Sequence, residues 1–227
     1  MTYSFLKLNE KYKVKKFLNQ NWKKNHILVL NKNLFNWQHI FKKKILFYCL
    51  RKNNQIISLL GIINQTQNNS FTKQGMGIIC SKNKFGIIDI LKNFLKRRYS
   101  ILVAIGLTKE VMPIYNHFKF KTGELNMYYI SNPNMKNNTI SKNLIKINLN
   151  KIKLNSAQSL DISCILNFTK KKDYKYILWR FINHPVYKYK FLMSDDKKLK
   201  IIYRDIVIKK HKIIRIVDFF GSFEHQE

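Results

Sequence analysis

GMGIICSKNKFGIIDILKNFLKRR, residues 75–98, changes its period half-way along. Gly75 to Cys80 reads as a short apolar strand and Ser81 to Lys84 as a polar turn. From Gly86 onward Ile87, Ile90, Leu91, Phe94 and Leu95 fall on one helical face, and basic residues close the C-terminal end, where a helix favours cations. The order is strand, turn, helix.

Working outward, KILFYCLRKNNQIISLLGII, from Lys44 to Ile63, holds two apolar runs joined by Lys52, Asn53, Asn54 and Gln55, the pattern of a hairpin. Leu8 to Trp22 places Val14, Phe17, Leu18 and Trp22 at helical spacing between lysines. Downstream, Ser100 to Gly106 is a short strand of buried type, and Thr108 to His117 reads as a helix with Thr108 as its N-cap. Phe118 to Ile130 is strand-rich with a bend at Gly123, and Ser131 to Asn143 is a polar, aperiodic linker. Together these elements predict an α/β fold (α+β, mixed sheet).

A second unit follows the linker. The segment from Leu34 aligns without a gap on the segment from Tyr176: Trp37 falls on Trp179, Ile40 on Ile182, Phe47 on Tyr189, and Asn53 and Asn54 on Asp195 and Asp196. One tryptophan at one constant offset favours duplication over two coincidental hairpins. The expected domains are 1–130, a linker at 131–143, and a second, incomplete copy at 144–227, whose unprotected sheet edge would favour association.

Composition narrows the function. Lys and Arg total 43 against 12 acids, a formal charge of +31 with a pI near 10.1. Such a balance attracts polyanions, and nucleic acid is one candidate partner. The lysines, however, are spread through the chain beside abundant Asn and Ile and form no stripe, which favours a compositional bias. Cys49, Cys80 and Cys164 are too widely spaced for a disulfide framework or a zinc site, and they fit a reducing, cytoplasmic setting. Cys49 and Cys80 read as small core residues. No apolar run approaches the roughly 20 residues of a membrane helix.

From Phe17 to Ile130 the order of elements resembles the GNAT acyltransferases, which move acyl groups from coenzyme A to amines. The likeness is carried by Gly61 in the hairpin's second strand, by Gly86 opening a helix, and by PIYNHFKF, where Tyr115 and Phe120 resemble the family's YxxxGF element with His117, Phe118 and Lys119 in the interval. The resemblance implies a coenzyme A site at SKNKFGI, with Lys82, Lys84, Phe85, Gly86 and Ile87 at the phosphates, where backbone N–H groups and the helix dipole favour an anion. Of the family's glycine signature only Gly86 stands here.

The same resemblance puts an oxyanion contact on a backbone N–H among Ile78, Ile79 and Cys80, and makes Tyr115 the acid that protonates the departing thiolate. Read on its own, Tyr115 is equally a ring filling the core. His26, Trp37 and His39 lie where such domains build the acceptor site, and either histidine could accept the amine proton with an ordinary pKa.

LWRFINHPVYKYKF from Leu178 and KIIRIVDFFG from Lys212 look like a group of GNAT-like proteins associated with bacterial surface-polysaccharide biosynthesis, with Arg180, His184 and Arg215 as polar candidates for binding. The resemblance implies an acetyl-CoA or other acyl-CoA donor, an amine acceptor such as an amino sugar, and no metal. Two alternatives stand beside it: a non-catalytic basic binding protein, either a degenerate GNAT scaffold or an RNA-associated component, and a tandem-domain transferase that uses aminoacyl-tRNA.

Overall fold

The computed structural model describes residues 1–64, 73–97, 101–124, 174–193, 199–208 and 211–221. The expected linker and the strand-rich reading of 125–130 lie outside these residues, and the described part of the second unit begins at 174.

A five-stranded mixed sheet organises the first unit. Its strands are β1 (Thr2–Phe5), β4 (Phe47–Lys52), β5 (Gln55–Asn64), β6 (Lys73–Ser81) and β7 (Ile101–Ala104), and they lie in that order across the sheet. All neighbours are antiparallel except β6 and β7, which are parallel. A further small ladder pairs β2 (Ile40–Phe41) with β3 (Lys44–Ile45). The β4–β5 hairpin turns on Asn53 and Asn54, whose φ angles of 49° and 59° are the left-handed values that a two-residue turn requires and asparagine tolerates.

Helices cover both faces of this sheet. The period of α1 (Lys11–Asn21) buries Val14, Phe17 and Leu18, and these residues share one core with Phe35 of α3 (Lys32–His39) and with Phe47, Cys49, Leu59, Ile78 and Cys80 of the sheet. Between them, α2 (Ile27–Leu30) contributes Leu28. On the other face Ile90, Leu91 and Phe94 of α4 (Lys84–Phe94) meet Tyr48, Leu50, Leu60 and Met76. Alternate residues of β4 and β5 therefore enter opposite cores, which explains their near-continuous hydrophobicity.

Three expectations are corrected. The helix read from Gly86 starts at Lys84, because the Asn83 side chain accepts the Gly86 N–H at 2.8 Å and caps the helix two residues earlier. The helix read from Thr108 is the shorter α5 (Met112–His117). Val111 is its N-cap and Pro113 stands in its first turn, while the Thr108 carbonyl only closes a preceding turn by accepting the Val111 and Met112 N–H groups. Finally, Phe118 to Glu124 contains no strand.

The second unit repeats the order of α3, β4, β5 and β6. Here α6 (Tyr174–Ile177, prolonged by a π-helical turn over Leu178–Ile182) precedes β8 (Lys190–Met193), β9 (Leu199–Ile208) and β10 (His211–Gly221), an antiparallel sheet in the order β10-β9-β8. Ile177 and Phe181 pack on Ile202 and Phe220. The last strand of each three-strand run, β6 after β4 and β5 and β10 after β8 and β9, carries one extra residue, Gly77 in β6 and Val217 in β10, where the register shifts. The gap-free alignment needs one adjustment: Cys49 pairs with Leu59, ten residues on, whereas Phe191 pairs with Ile202, eleven residues on. Without that extra residue β9 would turn its apolar side away from α6.

Candidate functional site

The end of β6 and the start of α4 form the segment that the sequence singles out. The β6–β7 ladder stops at Met76 and Ala104, and Gly77 to Ser81 continue with no β7 partner. Among the described residues β6 thus leaves an open edge that runs straight into the N-terminus of α4. Ile79 and Ile87 line the same apolar cluster as Tyr115, while Ile78 and Cys80 point into the opposite core. Of the residues expected at the cofactor, then, Ile79, Ile87 and Tyr115 come together. Phe85 is 77% exposed at the helix start, Lys82 is exposed beside it, and Lys84 is the first helical residue.

Gly86 owes its place to packing. A Cβ there would stand 2.2 Å from Ser81 Oγ and 2.3 Å from Ser58 Oγ. These two hydroxyls are 2.7 Å apart, and Ser81 Oγ also donates to the Ile57 carbonyl at 3.1 Å. The helix therefore sits directly on a serine pair that joins β5 to β6. The backbone N–H groups nearby are partly committed: Gly86 donates to Asn83 and Lys82 donates to Ile57 O at 2.9 Å. Ser58, Ser81 and Asn83 were not singled out in the sequence, although an asparagine three residues before a glycine at a helix start is a capping signal.

Tyr115 is 2% exposed, with its ring edge-on to Phe120 at 5.1 Å between centroids. Burial raises its phenol above the ordinary value, so at neutral pH it holds a proton. Burial likewise pushes the Cys80 thiol up to about 12, in keeping with a core role.

The three acceptor-side residues take separate positions. His26 caps α2, its Nδ1 accepting the Leu28 N–H at 3.2 Å, and its ring lies 4.5 Å from that of Trp22; burial and then Lys23 lower its pKa. His39 corrects the expectation of an ordinary histidine. It is wholly buried, its Nδ1 lies 3.0 Å from the Ile62 carbonyl, its Nε2 is unpartnered, and burial pushes it down to about 4 despite that bond. Gly61 makes room for it, since a Cβ would come within 3.1 Å of the His39 ring and 2.9 Å of the Phe47 ring. Both glycines that carry the resemblance are thus required by close packing.

Trp37 meets Trp179, the residue on which it falls in the gap-free sequence alignment. Their rings stack at 4.7 Å, and the contact is reciprocal: Trp37 Nε1 donates to the Trp179 carbonyl at 2.9 Å, and Trp179 Nε1 donates to the Trp37 carbonyl at 3.2 Å. His184 stands 4.3 Å from Trp37 and Arg180 lies 5.8 Å from its ring centroid. His184 Nδ1 accepts the Val186 and Tyr187 N–H groups, and burial, with Arg180 and Arg204 nearby, pushes it down to about 4. Arg204 lies 3.9 Å from the Tyr187 ring centroid, and Arg215 is exposed opposite Arg204 in the ladder.

Among the described residues no three His, Cys, Asp or Glu side chains gather as a metal site, and no helix is long and apolar enough to cross a membrane. No protein-family model, curated protein or solved structure matches the chain.

Proposed function

We propose that the chain is an acyl-coenzyme A-dependent N-acyltransferase of GNAT-like architecture, its acceptor the amine of an amino sugar in surface-polysaccharide assembly. The observation that carries this reading is the open edge of β6: the strand outruns β7 from Gly77 to Ser81 and leads straight into α4, with Tyr115 on the α4 side. In the proposed reaction the acceptor amine attacks the thioester carbonyl, an N–H of that edge stabilises the oxyanion, the C–S bond breaks, and the surplus proton of the new amide nitrogen passes to water. The thiolate takes the Tyr115 proton. A buried phenol that stays protonated at neutral pH suits that task. The repeat of helix and three strands, and the reciprocal tryptophan contact, support a duplicated domain.

A second reading, a non-catalytic basic scaffold, is favoured by one specific feature: the Gly86 and Lys82 N–H groups, which a pyrophosphate would use, are bonded within the chain. Titration calorimetry with acetyl-coenzyme A separates the two. The transferase reading expects micromolar binding, weakened several-fold by Lys82→Glu. No binding, together with salt-sensitive binding of RNA, selects the scaffold. In an amino-sugar transfer assay Tyr115→Phe should lower kcat by about 10²-fold or more, the scale of general acid catalysis. An unchanged rate from pH 6 to 9 would remove Tyr115 from the chemistry.

A further inference from the structure

A cavity of about 600 Å³ opens at the other end of α4, beyond Phe94. That is roughly 16 Å of helix away from Asn83, so it is separate from the proposed coenzyme A edge. Its floor is apolar, made by Leu6, Ile45, Leu46 and Ile62, all at most 5% exposed, and Phe5 and Leu8 form its partly exposed mouth. The remaining lining residues are cations: Lys7, Lys43, Lys44 and Arg97.

Two features set this cluster apart from the general basicity of the chain. Among the described residues, cations make up four of the ten that line the cavity, against 43 of 227 in the whole sequence, and none of those ten is a carboxylate. The Arg97 guanidinium is held over the mouth, 5.0 Å from the Phe5 ring centroid and 5.3 Å from that of Tyr48. One of these lysines, Lys43, is also placed at a conformational cost. Lys42 and Lys43 occupy the two-residue turn between β2 and β3 with φ of 47° and 59°, values for which the β4–β5 turn uses asparagine. Lysine in the left-handed region is strained, and such strain is characteristic of functional positions.

We infer that this cavity binds a single-chain amphiphile with an anionic head, a phosphate or a carboxylate, with its hydrocarbon tail on the Leu6–Ile45–Leu46–Ile62 floor and its head among Lys7, Lys43, Lys44 and Arg97. The volume is that of a small-molecule site. An apolar floor without cations would select neutral hydrocarbon, and cations without the floor would select inorganic anions. Only their combination requires both parts in one molecule. The inference stands on the cavity alone and does not depend on the transferase reading.

The test is calorimetric titration of the full chain, below micelle-forming concentrations, with octyl phosphate, dodecyl phosphate, dodecanoate, dodecanol and inorganic phosphate. Saturable 1:1 binding of dodecyl phosphate or dodecanoate is expected, at least tenfold tighter than dodecanol or inorganic phosphate. Whichever of the two binds tighter identifies the head group. Each methylene buried on the floor tightens binding by up to about fourfold, so octyl phosphate should bind at least tenfold more weakly than dodecyl phosphate. Lys43→Ala with Lys44→Ala should weaken the anionic chains at least fivefold, and Leu8→Trp, at the partly exposed mouth, should do the same by filling the cavity. Lys23→Ala with Lys24→Ala removes equal charge from an exposed site elsewhere. An equal loss in that control, or dodecanol binding as tightly as the anions, overturns the proposal.

Discussion

The β4–β5–β6 sheet is covered on both faces, by α1 and α3 on one side and α4 and α5 on the other, whereas among the described residues the β8–β9–β10 sheet is covered only by α6. The two start alike, each with a helix, a hairpin and a bulged third strand. They differ in the far face of each sheet. In the first sheet β6 passes at once into α4, whose Ile90, Leu91 and Phe94 are fully buried. In the second, the corresponding face carries Ile214 at 61%, Ile216 at 60% and Phe219 at 51% exposure. The strand pattern of a β-meander is thus set locally, while its burial depends on the elements packed against it.

Truncation of one core aromatic residue in each sheet should break this comparison most visibly. Phe47, fully buried and stacked on Phe35 at 5.7 Å, should cost about 3–5 kcal/mol as Phe47→Ala. Phe220, at the margin of a smaller core, should cost about half of that. Urea unfolding followed by circular dichroism measures both, and equal losses would mean that the second core is as tightly built as the first.

The pH dependence sharpens the contrast next. His39 has a folded pKa of about 4 against an ordinary 6.5, because burial disfavours its charged form. Between those values the unfolded chain binds a proton that the folded chain does not, so stability falls as pH drops from about 6.5 to 4, by an order of 3 kcal/mol. Glu10 acts in a lower window. Burial alone would raise its pKa, yet hydrogen bonds from Arg51 at 2.8 and 2.9 Å, from the Lys7 N–H and from Lys13 outweigh this and hold it at about 2. Its contribution is present above about 4.5 and lost on approach to pH 2. His39→Phe should reduce the slope of the upper window, leaving the part that His184, also held at about 4, contributes there, and should leave the lower window unchanged. If the upper slope survives the substitution undiminished, another group is responsible for it.

A smaller effect, of about 1–3 kcal/mol, is expected for Gly86→Ala, from overpacking against the serine pair. Much of it should be recovered in a background carrying Ser58→Ala and Ser81→Ala, because the clash is with their hydroxyls. A thermal-melt cycle in which the three substitutions simply add would show that the helix, not the serine pair, sets the constraint.

Gly86 also shows what the sequence can and cannot reveal. The helical period after it and the strand before it are local patterns, and both were legible, as was the Asn53–Asn54 turn. Its reason for being glycine depends on Ser58, placed opposite Ser81 by a strand register that no local pattern specifies. His39 is similar: its loss of basicity follows from Gly61 and Phe47, which reach it only through the fold. β1 was missed because Thr2–Phe5 is a largely exposed edge strand of four residues, too short for its alternation of Thr, Tyr, Ser and Phe to stand out. The reciprocal bonding of Trp37 and Trp179 was not legible, because a constant offset in sequence says nothing about contact between the two segments.

The smallest change in stability should come from the uncovered face of the second sheet. Ile214 and Ile216 lie on it with Val207, which is 73% exposed, and the charged residues of this face, Lys190 and Lys212, converge on Asp205 at 2.8 and 3.3 Å. Because the two isoleucines bury little in the monomer, Ile214→Lys with Ile216→Lys should shift the unfolding free energy by less than about 0.5–1 kcal/mol. A contiguous apolar surface of this kind is nevertheless a site of association. Light scattering across a concentration series should therefore show self-association in the parent chain and its reduction in the double variant. A large loss of stability with unchanged association would place these side chains in a packed interior and remove the contrast between the two sheets.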